Sequence, residues 1–87
     1  MSQKGRTPDE RFLFKLYEAV IERGDPHAEI EILGIARSLG QKETATKNII
    51  KHLAQANFVK KVGETRVVLT RRGFDFALNE IDTKSKK

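Results

Sequence analysis

The sequence predicts one small α+β domain, mostly helical, in the order helix, short strand, helix, helix, hairpin, helix. Three observations carry this expectation. Apolar residues recur at helical spacing in four segments, each bounded by residues that start or stop helices. Two runs rich in β-branched residues flank a Gly-Glu pair. Eighty-seven residues suffice for one hydrophobic core and leave no room for a second.

Each element has its own reason. Residues 1–6 are polar and read as a disordered arm. Thr7-Pro8-Asp9-Glu10 combines a capping threonine, proline at the first helical position and glutamate three residues after the cap. This first helix is expected to run to about Arg23, with Gly24 as its left-handed stop and Asp25-Pro26 as the turn. Arg11, Lys15, Glu18 and Glu22 share a narrow polar face. Phe12, Leu13, Phe14, Leu16, Tyr17, Val20 and Ile21 cover most of the remainder, more than one core seam needs. A second chain or a second side of the same domain would cover the excess.

Ala28-Glu29-Ile30 reads as a short strand. Ile32, Ile35, Ala36 and Leu39 then form a helix that ends at Gly40. A third helix starts at Gln41 or Lys42 and buries Thr46, by its methyl, with Ile49, Ile50 and Leu53. Asn57 is a left-handed terminator. Phe58–Val62 and Thr65–Leu69 form a hairpin through Gly63-Glu64, a pair suited to a type II′ turn. That turn places Lys61 opposite Arg66, a repulsive pair that a bound anion would relieve or that solvent would screen. Thr70 caps a last helix, from Arg71 to about Ile81, with an apolar stripe of Phe74, Ala77, Leu78 and Ile81. Phe76 falls off this stripe, where a dimer contact would use it. The expected domain spans 7–82, and 83–87 is a basic disordered tail.

Composition narrows the function. The chain holds 17 Lys+Arg against 12 Asp+Glu, a formal net charge of +5. Residues 1–40 carry six basic and seven acidic side chains, net −1, while residues 41–87 carry eleven and five, net +6. Such asymmetry points to a polyanion partner. No apolar run is long enough for a membrane span, and Met1–Arg6 lacks the apolar core of a signal peptide. Without cysteine there is no disulfide, thiol or zinc-thiolate chemistry, which fits a cytoplasmic protein. His27 and His52 stand far apart, the serines lack a triad, and the acids do not converge, so neither catalysis, metal nor cofactor is expected.

Two short helices joined at Gly40 and followed by a hairpin resemble the winged helix-turn-helix fold, and within it the MarR-like transcription regulators. Ile35-Ala36-Arg37-Ser38-Leu39-Gly40 resembles that family's second helix, and Thr44 to Leu53 its recognition helix. Asn57-Phe58-Val59 resembles the Gly-Leu-Val that leads into its wing, and Leu69-Thr70-Arg71-Arg72-Gly73 the Leu-Thr-x-x-Gly that leaves it. The resemblance spans residues 28–78. It departs from the family in a very short wing, in reduced flanking helices and in Thr46 at a usually aliphatic position; no effector pocket is evident.

The resemblance implies a three-helix core, a two-stranded wing and a C-terminal helix. It also implies double-stranded DNA as the partner of a prokaryotic transcription regulator. On a helical wheel Thr44, Lys47, Asn48 and Lys51 lie within about 100° of one another, opposite Ile49, Ile50 and Leu53. In the major groove Asn48 can pair with adenine and Lys47 can donate to guanine, while Thr44 and Lys51 meet a thymine methyl or phosphates. Ser38 and Lys42 at the turn are phosphate contacts. Lys60, Lys61 and Arg66 on the wing follow the phosphate backbone or the minor groove, and Arg71 and Arg72 at the last helix N-terminus meet a phosphate. The first and last helices are expected to form a homodimer. A protein-interaction module of the same fold, or an RNA- or ribosome-associated one, is the alternative.

Overall fold

The computed structural model describes the backbone of residues 7–85 and the side-chain surroundings of residues 7–80; the expected arm, residues 1–6, lies outside the described residues. Thr7 caps the first helix, α1 (Pro8–Arg23), with a complete capping box: its hydroxyl accepts from Glu10 N–H, and the Glu10 carboxylate accepts from Thr7 N–H. Gly24, at φ 72°, ends it. Asp25 turns the chain by accepting from His27 N–H through its side chain and from Ala28 N–H through its carbonyl. That second bond keeps Ala28 in the turn, so strand β1 is Ile30–Glu31 rather than residues 28–30.

Helix α2 (Ile32–Leu39) ends at Gly40, φ 69°, and α3 (Glu43–Gln55) follows with Lys42 as its N-cap. Asn57 takes φ 64° after α3. Its N–H donates to Ala54 O and that of Phe58 to Leu53 O, the paired bonds of a Schellman ending. Strands β2 (Val59–Val62) and β3 (Arg66–Leu69) then pair antiparallel, and β1 joins the free side of β3. The expected two-stranded hairpin is therefore part of a three-stranded antiparallel sheet, order β1-β3-β2.

The hairpin register differs from the expected one. Val62 pairs with Arg66, and Lys61 with Val67, so Gly63, Glu64 and Thr65 form a three-residue connection, not a type II′ pair. Thr65 has a different partner: its carbonyl accepts from Ile32 N–H, 2.8 Å, at the start of α2. Lys61 and Arg66 consequently occupy opposite faces of the sheet, and the expected repulsion between them is absent.

Helix α4 (Arg71–Ser85) starts as expected, with Thr70 Oγ1 accepting from Gly73 N–H at 3.0 Å. It extends past Ile81 through Thr83–Ser85, the first part of the expected tail; Lys86 and Lys87 lie outside the described residues. Its buried edge is Gly73 and Ala77, while Leu78 is 43% exposed, so the apolar stripe is rotated from the expected one. Gly73 is the reason. A Cβ there would sit 2.1 Å from Phe58 O, so only a glycine lets the α4 backbone rest on the strand approach. The same rotation turns Phe76 inward. It stacks on Phe58 (centroids 5.0 Å) and Phe14 (6.3 Å), so the aromatic ring expected at a dimer contact has partners within its own domain.

α1 runs through the centre, with α2, α3, α4, β1 and β3 against it. Phe12, Leu13, Leu16 and Val20 are buried with Ile30, Ile35, Ile49, Leu53, Val59, Val67 and Leu69. Tyr17 meets Phe74 edge-on at 5.2 Å. Most of the broad apolar face is thus used inside the domain, and Ile21 stays 51% exposed.

Candidate nucleic-acid interface

Helix α3 owes its orientation to burial on one side and a polar tie on the other. Thr46, Ile49, Ile50 and Leu53 are buried. Thr46 keeps its hydroxyl satisfied by donating to Lys42 O at 2.9 Å, the carbonyl that also accepts Thr46 N–H. This explains how a polar residue takes an aliphatic position: its methyl fills the core and its hydroxyl returns to the helix. On the flank, His52 Nδ1 lies 3.2 Å from Asp9 Oδ2 at the start of α1. The opposite face projects to solvent: Thr44, Lys47, Asn48, Lys51 and Gln55 are all exposed, with no acid among them.

The sheet contributes its cations unequally. Lys61 lies on the face shared with Val59, Val67 and Leu69, at the end where burial gives out. It therefore reaches the concavity between α3 and the hairpin, about 410 Å³, where Lys47 is also found. Ile32, Leu33, Thr46 and Ile50 form its floor, and Glu43 and Glu64 share its rim. Two lysines from separate elements thus border one groove beside the acid-free face of α3. Sequence reasoning passed over Glu43 and Glu64 as members of this groove. The wheel of α3 already set Glu43 next to Lys47, but only the register brings Glu64 across.

Most of the other basic residues lie away from this groove. Arg66 lies on the outer face of the sheet opposite Glu31, and its guanidinium meets Glu29 Oε1 at 3.4 Å. Arg23, Asp25 and His27 line the same open basin. Lys60 shares the outer face, exposed, across from Val68. Arg71 pairs with Asp75 at 3.6 Å, one helical turn on, and borders the Pro26-His27 loop. Arg72 lies over the Phe58 ring, 5.9 Å from its centroid. Ser38 is exposed near the end of α2, its hydroxyl donating to Ile35 O at 3.2 Å, and Lys42 is exposed at the start of α3. The structure therefore groups Lys47 with Lys61 beside Thr44, Asn48 and Lys51, with Lys42 at the helix start. It sets Arg66 and Arg71 toward the α1–β1 loop.

Among the described residues no group of His, Asp and Glu is arranged to hold a metal ion, and no helix is long and apolar enough to cross a membrane. Compared with protein-family models, with curated proteins and with solved structures, the chain matches none.

Proposed function

We propose that this chain is a winged helix-turn-helix domain of MarR-like pattern. In this reading it binds double-stranded DNA sequence-specifically and regulates transcription, as a homodimer in a prokaryotic cytoplasm, without catalysing a reaction. One observation carries it: the solvent face of α3 presents Thr44, Lys47, Asn48 and Lys51 with no acid among them, and the hairpin adds Lys61 beside Lys47. The element order supports it too, since a pair of short helices joined at Gly40 precedes a hairpin whose end is tied back to α2.

In this reading α3 enters the major groove. The Asn48 amide pairs with adenine N6 and N7, and Lys47 donates to guanine O6 or N7. Lys51, farther along the helix, and Lys42, at its start, meet phosphates on either side. Lys61 holds the flanking strand. The hairpin tip carries Glu64 and no cation, so the wing follows the backbone and stays out of the minor groove. Arg66 and Arg71 contribute little, because they face the α1–β1 loop and not the groove beside α3. Most of the affinity comes from counterion release, and the discrimination comes from α3.

Titration of duplex DNA at about 50 mM and about 200 mM salt tests this. The expected result is binding that weakens steeply with salt, and a Lys47→Ala/Lys51→Ala variant that loses it while staying folded. Unchanged binding in that variant, or none by the parent protein at the lower salt, would refute the reading and leave the interaction module.

A further inference from the structure

The start of α3 carries an acid that the contacts described so far do not use. Glu43 is the first residue of the helix, exposed, on the rim of the groove that Lys47 and Lys61 border. The helix dipole favours an acid in a first turn. At a surface that meets phosphates the same charge is a liability, because it repels them. Glu43 also stands four residues before Lys47, the favourable order for an ion pair along a helix. Yet among the described residues neither side chain forms an ion pair, with the other or with a third group. The Glu43 carboxylate is therefore available to accept a hydrogen bond from outside the chain.

Its neighbours narrow what the donor is. Glu43 and Lys47 lie about one helical turn apart, about 6 Å along the axis, and both line the groove. Glu64, from the hairpin connection, shares that rim. A phosphate seated here meets two carboxylates, whereas a base edge that offers a donor is welcome. Two bases present a donor in the major groove, cytosine through N4 and adenine through N6. Adenine sets its N7 acceptor beside that donor, which repels a carboxylate; cytosine sets no acceptor there. The guanine paired with that cytosine presents O6 and N7, the atoms that suit a lysine.

We propose that Glu43 reads the cytosine of a C·G pair by accepting from its N4 amino group, while Lys47 donates to the guanine of that pair or of the next. The inference rests on the reading that α3 enters the major groove, and adds a base preference to it. A thymine or guanine at the same position turns O4 or O6 toward the carboxylate, two acceptors with no proton between them. Glu43 thus lowers affinity for DNA at large and selects one pair by rejecting the others.

Selection from a randomised duplex library at about 100 mM salt, followed by titration of the enriched duplexes, tests the contact. The parent protein is expected to enrich a motif with one C·G position, and to bind it about tenfold to a hundredfold more tightly than the T·A replacement. Glu43→Gln keeps the shape but offers a donor beside an acceptor, the match to adenine N6 and N7. Its motif is expected to change to A·T at that position and nowhere else. Glu43→Ala is expected to lose the preference without gaining another, and to bind unrelated duplexes more tightly than the parent, since a negative charge has gone. Lys51→Ala is the control: it should weaken all sequences alike and leave the motif intact. Position 43 is exposed, so circular dichroism should report the parent helix content in each variant. A parent motif that survives both Glu43 substitutions, or a parent that binds DNA without selecting any sequence, overturns the cytosine contact and leaves DNA binding standing. A parent that binds no duplex overturns both.

Discussion

Replacing Gly73 with alanine is expected to destabilise the fold, although alanine is the better helix former. A Cβ at this position would lie 2.1 Å from Phe58 O, 2.9 Å from Phe58 C and 3.0 Å from Leu69 Cδ1. A carbon meets a carbonyl oxygen comfortably at about 3.3 Å, so the start of α4 would have to retreat by about 1.2 Å. The obstacle is backbone and cannot rotate away. The same carbonyl accepts Thr70 N–H at 3.1 Å, and Thr70 Oγ1 donates to Asn57 O. Retreat stretches both bonds, each worth about 1 kcal/mol. Forced overpacking costs a further ~1–3 kcal/mol, against a helix-propensity gain of about 1 kcal/mol. The net expectation is a loss of about 2–4 kcal/mol, or at least about 10 °C in Tm for a domain of this size. Gly34→Ala is the matched control, since nothing lies within 4 Å of its Cβ position. It should stabilise by up to about 1 kcal/mol, because an exposed glycine inside α2 only weakens the helix. Urea denaturation followed by circular dichroism at 222 nm measures both. Equal effects of the two substitutions, or a Gly73→Ala protein as stable as the parent, would refute the close-approach argument.

Two further outcomes can be measured directly. Thr46→Val is expected to cost less than Thr46→Ser in the same denaturation assay. Valine keeps the buried methyl while Lys42 O retains its bond from the residue 46 N–H, whereas serine opens a methyl-sized void worth about 1 kcal/mol. For DNA, Lys61→Ala is expected to flatten the salt slope by about one unit, and Arg66→Ala to leave it unchanged. A flattening by Arg66→Ala equal to that of Lys61→Ala would show that the outer sheet face meets the backbone as well.

The parts of the fold that could be read from the sequence are those whose causes are local. Thr7, Pro8 and Glu10 start α1 through bonds spanning three residues, and Gly24, Gly40 and Asn57 all take the left-handed conformation expected of terminators. The solvent face of α3 was equally legible, because its periodicity is sustained over more than three turns. What escaped the sequence depends on partners distant in the chain. The register of β2 on β3 follows a bond from Ile32 to Thr65, more than thirty residues on, and a one-residue difference moves a side chain to the other face. Hence Arg66 could not be separated from Lys61 by inspection. The rotation of α4 likewise follows from Phe58, which lies before the hairpin and not in the helix.

These long-range ties bear on the candidate interface. Thr70 and Gly73 hold the start of α4 against Asn57 and Phe58, so the hairpin begins and ends at one fixed point. That point is also the Schellman ending of α3, so α3, the hairpin and α4 share a single junction. At the far end, the bond from Ile32 to Thr65 fastens the hairpin connection to α2. These ties at both ends set the backbone of Lys61 relative to that of Lys47. On the proposed reading the short hairpin gives up reach and gains preorganisation: the strand that carries Lys61 stands in place before any nucleic acid arrives, which reduces the ordering cost of binding. On the proposed reading, loosening this junction should weaken DNA binding in part through Lys61, whose strand it anchors. In a partly destabilised but folded Gly73→Ala protein the further loss from Lys61→Ala should shrink, while the loss from Lys47→Ala should persist.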